Sequence, residues 1–161
     1  MPSNAEPLVP AVLEALRLRG LTLAVAEGDT GGLLLEWLTS VPGSSSVVLG
    51  GVVAYHDRLK LELVLVDPEV QRQHGSVSRQ VAEAMAVGVR LVTEADVGVA
   101  VTGIAGPGGA TDAKAVGLAF VAVADQHGVS VRRHQWRGDR QQNRESSGRA
   151  VLELLLEHLG K

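Results

Sequence analysis

The sequence contains no cysteine and very few aromatic side chains: Trp37, Tyr55, Phe120 and Trp136 are all there are among 161 residues. Without cysteine there are no disulfides and no thiolate metal sites, which excludes a secreted, disulfide-stapled scaffold. Four scattered aromatics do not make a stacking platform for single-stranded nucleic acid. No cluster of Lys or Arg stands out and the formal net charge is −3, so neither a nucleic acid nor a membrane surface is expected as a partner. No apolar stretch approaches the roughly 20 residues of a membrane span. The N-terminal MPSNAEPLVP lacks the basic-then-apolar order of a signal peptide. A cytoplasmic location is the expectation that remains, with a core made of Val, Leu and Ala.

The length suits one domain, expected over 1–161 with residues 1–6 disordered. Val9, Val12, Leu13 and Leu16 recur at helical spacing over 7–19, and Gly20 is a natural stop. LTLAVA (21–26) and VVLGGVVAY (47–55) read as buried strands around a helix over 33–41 that ends at Pro42-Gly43. Gly50-Gly51 predicts a bulge or a close backbone approach. Residues 57–66 fit either a helix or a strand, and their charges favour a short helix starting at Asp57. Asp67-Pro68 opens another helical turn. Ser78 is a good N-cap for a helix to about Thr93, with Val81, Met85, Val89 and Val92 on one face. DVGVAVTG (96–103) is a third strand, and 116–124 with 129–136 form a hairpin. Asp139 caps a last helix, with Gln142 completing a capping box and Val151, Leu154, Leu155 and Leu159 forming its apolar stripe. This order predicts an α/β fold: a three-layer α/β/α sandwich with a mixed, mostly parallel sheet of about five strands.

Ligands of open α/β sheets bind outside the carboxyl ends of strands, and three loops qualify. Ala26-Glu27-Gly28-Asp29-Thr30-Gly31-Gly32 precedes a helix. Its N–H groups could hold an anion or a carbonyl oxygen, or its glycines could serve only a tight turn. In Ala54–Lys60, the single tyrosine, Tyr55, stands five residues before Lys60. On spacing alone, a satisfied hydroxyl and a solvated lysine explain the pair. Thr102-Gly103-Ile104-Ala105-Gly106-Pro107-Gly108-Gly109 could offer N–H groups to a phosphate or be a flexible turn; it is neither a Walker A motif nor GxGxxG.

In order and spacing, from about residue 7 to 159, these loops resemble the CinA C-terminal (nicotinamide mononucleotide amidase) family. AEGDTGG (26–32) and SVPGSS (40–45) stand against the family's AESCTGG and VPGSS. GGVVAYHDRLK (50–60) stands against GGVVAYSN…K, and VTGIAGPGGATDAKAVG (101–117) against VTGIAGPGGGT…KPVG. Gly138-Asp139-Arg140 matches a GDR turn opening the last helix, with Arg144 one turn on. The resemblance implies hydrolysis of the carboxamide of nicotinamide mononucleotide to nicotinic acid mononucleotide and ammonia, with no metal and no other cofactor. It implies a serine nucleophile in the first motif, with Tyr55 and Lys60 as base and proton relay. A lysine base must be neutral, which calls for burial or cationic neighbours. Glu27, Thr30, Gly31, Gly32, Thr102, Gly103, Gly106, Gly108, Gly109 and Arg140 are then candidates for holding a pyridine mononucleotide, the third loop and Arg140 at its phosphate. A homo-oligomer is expected.

One departure bears on chemistry. The serine position is Gly28 and the cysteine after it is Asp29. Glycine cannot supply a nucleophile, and losing one removes several orders of magnitude in rate. Three readings follow: an impaired relative that still binds the nucleotide, an amidohydrolase in which Asp29 activates water, or a non-catalytic oligomer or partner subunit. His56 could pair with Asp29 or Asp57, or simply be a surface residue. His74, His127, His134 and His158 have no metal-ligand spacing.

Overall fold

The computed structural model describes residues 7–160; the expected disorder of residues 1–6 lies outside them. Five strands, β1 (Leu23–Glu27), β2 (Val48–Val53), β3 (Val97–Gly103), β4 (Leu118–Asp125) and β5 (Gly128–Gln135), form one sheet in the order β2-β1-β3-β4-β5. β1 runs parallel to both β2 and β3, while β4 is antiparallel to β3 and to β5. Four strands therefore point one way, although half of the ladders are antiparallel. α1 (Leu8–Arg19), α2 (Leu33–Thr39) and α6 (Arg140–Leu159) cover one face; α3 (Asp57–Val64), α4 (Pro68–His74) and α5 (Arg79–Thr93) cover the other.

The two faces of the sheet are built from different residues. Leu23, Val25, Val97, Val99, Val101, Val121 and Val123 pack against α1, α2 and α6. Ala24, Ala26, Ala100, Ala122 and Ala124 pack against α5. Alanine and glycine let α5 approach closely: a Cβ on Gly98 would lie 2.2 Å from the Ala86 carbonyl oxygen. The same helix touches α3, where a Cβ on Gly88 would lie 1.7 Å from the Val64 carbonyl oxygen. A core of Val, Leu and Ala with scarcely an aromatic is thus a consequence of one wide and one narrow interlayer gap.

The helix signals act as read. Gly20 closes α1 in the left-handed region at φ 64°, Ser78 accepts a bond from the Val81 N–H, and Asp139 with Gln142 forms the full capping box of α6. Residues 57–64 are helical, starting at Asp57 as expected, and His56 caps them: its Nδ1 accepts from the Arg58 N–H at 3.1 Å. Val92, expected on the buried stripe of α5, is 45% exposed, and Ala82 and Ala86 take that face instead. Val81, Met85 and Val89 are buried as expected, with the small Ala82 and Ala86 between them. Both readings of Gly50-Gly51 hold. The β1–β2 register shifts beside Gly50, and a Cβ on Gly51 would lie 2.2 Å from the Val25 carbonyl oxygen.

This topology decides where a ligand can go. From β1 the chain moves outward to β2 on one side and later returns to β3 on the other. The connections after β1 and β3 therefore lead toward opposite edges of the sheet, and a crevice opens at the carboxyl ends between them.

Candidate functional site

That crevice is a cleft of about 430 Å³. Its walls are Asp29 after β1, Tyr55 after β2, Asp57 and Lys60 on α3, Gly75–Val77 before α5, Gly103–Gly106, Gly108, Gly109, Thr111 and Lys114 after β3, and Arg140 at the start of α6. The loops singled out in the sequence thus meet at one place. Tyr55 directly precedes the His56 cap of α3 and Lys60 lies four residues after it, inside the helix, so tyrosine reaches the rim and lysine the floor. Tyr55 is 59% exposed, and Lys60 only 4%.

Lys60 is buried, as a lysine base would require, but its neighbour has the wrong sign. Its Nζ lies 3.4 Å from Asp57 Oδ1, an ion pair in the floor of the cleft. Burial opposes ionisation of Asp57, yet the Ser76 hydroxyl and the Lys60 ammonium hold it below the ordinary carboxylate value. Arg140 joins two parts of the rim. One guanidinium nitrogen donates to the Gly106 carbonyl oxygen at 2.8 Å and another to the Tyr55 hydroxyl at 2.9 Å. Lys114 donates from Nζ to the His74 carbonyl oxygen, and burial pulls its pKa below that of ordinary lysine.

Asp29 is the anomalous group. Its carboxylate rests on the Cα of Gly103, where a Cβ would lie 2.7 Å from Oδ2. Oδ1 is buried and accepts no hydrogen bond. Burial pushes its pKa up to about 6, against the opposing pull of its own backbone N–H, Lys60 and Arg144 and with a push from Glu27. Beside it, a Cβ on Gly28 would sit 3.0 Å from the Val101 carbonyl oxygen, 3.5 Å from Thr102 Cα and 3.8 Å from Lys60 Cε.

Five expected binding residues do not line the cleft: Glu27, Thr30, Gly31, Gly32 and Thr102. The first loop satisfies itself. Glu27 is fully buried, and its Oε2 accepts from the Thr30 hydroxyl at 2.6 Å and from the N–H groups of Gly32 and Leu34, while Oε1 accepts from Leu35. The anion at the start of α2 is therefore the protein's own carboxylate. Gly31 and Gly32 are there for their backbone, with φ of 61° and 101°. Arg144 closes the turn from above through the Asp29 and Thr30 carbonyl oxygens. Thr102 donates to the Ser76 carbonyl oxygen at 2.7 Å, tying β3 to the loop before α5.

The cleft also holds residues the sequence reading did not single out as site residues: Asp57, Ser76, Thr111 and Lys114. Asp57 and Lys114 lie inside matched motifs and were legible there; Ser76 had no signal beyond the loop at His74-Gly75. His56 is exposed and caps α3 rather than pairing with Asp29. Among the described residues no group of three or more His, Asp or Glu could hold a metal ion, and no helix is long and apolar enough to cross a membrane.

Comparison with known proteins agrees with this geometry. The family model of the CinA C-terminal domain matches residues 5–159. The chain is 45% identical over 157 residues to a CinA-like protein of Koribacter versatilis, covering 98% of this chain and 38% of that protein. It is 47% identical over 146 residues to one from Desulfotalea psychrophila, covering 91% and 35%. It thus spans little more than a third of the length of these curated relatives. Among solved structures, the competence/damage inducible protein CihA from Agrobacterium tumefaciens superposes with a TM-score of 0.94 at 36% identity, over 100% of this chain and 98% of that one. A CinA superfamily protein from Klebsiella pneumoniae gives 0.94 at 29% identity, over 98% of each. The chain belongs to the CinA C-terminal domain family.

Proposed function

We propose that the cleft binds a pyridine mononucleotide, nicotinamide mononucleotide or nicotinic acid mononucleotide, and that amide hydrolysis is impaired because position 28 lacks a nucleophile. The observation carrying this reading is the position of the missing side chain. A Cβ on Gly28 would lie 3.8 Å from Lys60 Cε, with the Val101 carbonyl oxygen nearer at 3.0 Å and Thr102 Cα at 3.5 Å, close enough for a serine hydroxyl to hand its proton to a lysine or to a partner of that lysine. Tyr55 and Arg140 remain on the rim, bonded to each other. Lys114, Arg140 and the 106–109 turn supply cationic and N–H groups suited to a phosphate.

The test is ammonia release from nicotinamide mononucleotide by the wild type and by Gly28→Ser. Wild type is expected to lie at least about 10³-fold below the serine variant. Wild-type turnover that equals the variant's would overturn the claim of impairment. The variant must also fold, since its Cβ sits 3.0 Å from the Val101 carbonyl oxygen; circular dichroism establishes that.

A second reading has Asp29 activate a water directly. In its favour stands a carboxylate whose pKa is pushed up to about 6, which makes it a stronger base than an ordinary aspartate. Under this reading wild-type ammonia release is measurable and falls at least about 10²-fold in Asp29→Asn. Residual release unaltered by that substitution excludes it.

A further inference from the structure

Asp29 places a carboxylate directly after the position at which a nucleophile would stand, and so sets the charge next to the place where a ligand's reacting group must lie. Asp29 follows Gly28 directly, lines the same cleft as Lys60, and packs on Gly103 at a spot that tolerates no side chain. We propose that Asp29 is a specificity residue: ionised, it selects a ligand ending in a neutral carboxamide over one ending in a carboxylate, and protonated, it gives up that preference. This rests on the nucleotide reading above and adds to it the choice between the two nucleotides.

The argument is one of hydrogen-bond supply and charge. Oδ1 of Asp29 is buried without a donor. A carboxamide brings two N–H donors to the carboxylate, whereas a ligand carboxylate brings a second negative charge and no donor. Two like charges a few ångströms apart in a partly enclosed site repel by about 1–4 kcal/mol, so discrimination by Asp29 does not require any other contact to differ. The neighbours do not cancel it. Lys60 is already paired with Asp57 at 3.4 Å, and Arg144 is engaged with the Asp29 and Thr30 carbonyl oxygens and with Gln141. Glu27, on β1, is negative and adds to the effect; Lys114 and Arg140 lie further along the rim, bonded to His74 and to Gly106 and Tyr55. When Asp29 is protonated it becomes a donor and can accept a ligand carboxylate as a partner. With its pKa pushed up to about 6, this exchange of roles falls within an accessible pH range.

The two mononucleotides share ribose and phosphate, so the ratio of their dissociation constants isolates the amide-or-acid end. Calorimetric titration of wild type with each, near pH 8 and near pH 5, is expected to show the amide bound about tenfold or more tighter at the higher pH. The ratio should then fall about tenfold at the lower pH. In Asp29→Asn, and in Asp29→Ser as a second uncharged variant, the ratio should lie close to its low-pH wild-type value at both pH values. A wild-type ratio that does not move with pH, or one that moves equally in both variants, overturns the specificity role while leaving nucleotide binding intact. Binding of neither mononucleotide is a different failure: it removes the nucleotide reading and this role with it.

Discussion

Two glycine-rich turns leave the carboxyl ends of the adjacent strands β1 and β3, and they do opposite things. The turn after β1 is closed. Glu27 occupies the helix-start position an external anion would take, and Arg144 holds two of the turn's carbonyl oxygens. The turn after β3 is open: Gly106, Gly108 and Gly109 face the cleft, and nothing stands within 4 Å of a Cβ built on Gly108. Glycine content alone does not distinguish them. What does is whether a buried charge inside the protein already answers the free N–H groups.

The largest expected effect breaks the closed turn. Glu27→Ala removes the acceptor of one hydroxyl and three N–H groups in a fully buried position. It should lose about 3–5 kcal/mol of stability, read as a fall of about 10 °C in Tm. A loss under about 1 kcal/mol in urea titration would mean the turn does not depend on its internal anion.

The second test concerns the residue shared by the two turns, Asp29, which belongs to the first and leans on the second. Burial raises its pKa on folding from the ordinary aspartate range to about 6. The stability it contributes is therefore full below the unfolded value and is lost as pH rises through about 6. Asp29→Asn should be more stable than wild type by about 3 kcal/mol near pH 8 and nearly indistinguishable from it near pH 3. Melting curves at both pH values check this, and an equal shift at both would remove burial of the charge as the cause.

Arg144→Ala should follow, at about 1–2 kcal/mol, because its two bonds to the turn carbonyls are partly buried and have no substitute. Its effect should be on the closed turn alone; hydrogen exchange of the Gly31 and Gly32 amides would rise before that of β3. Smallest of all is Gly108→Ala in the open turn. The added methyl meets nothing, and the residue is not in the left-handed region, so stability should stay within about 0.5 kcal/mol. A larger loss would show that the open turn is packed after all.

The layered architecture was legible because each element carries a local signal. Residues 8–19 have helical apolar spacing and a glycine stop, Asp139 and Gln142 make a capping box, and the strands are short apolar runs between glycines. These are properties of a dozen neighbouring residues and survive without tertiary context. The structure adds what the sequence does not carry where a neighbour in space, not in sequence, decides. Val92 is exposed although Val81, Met85 and Val89 of the same stripe are buried, because α5 turns Ala82 and Ala86 to the sheet beside them and its last turn lies at the edge of the layer. Glu27, Thr30, Gly31 and Gly32 were candidates for a ligand because a helix start has free N–H groups, and no local rule says that Glu27's side chain folds back onto them. Asp57 and Lys114 stood inside matched motifs, but their place in the cleft depends on α3 and the 103–115 loop converging from opposite edges of β1.

By itself the sequence determined the family, the five strands, the order of elements and the absence of a nucleophile at Gly28. Each follows from residue identity and spacing along the chain. Only the tertiary structure decided which glycine loop is open, that Lys60 is buried against Asp57, and that Asp29, packed on Gly103, carries a buried and unpartnered oxygen. Burial and charge pairing arise between residues far apart in sequence. They are set by the outward and return path of the chain around β1, which no single motif encodes.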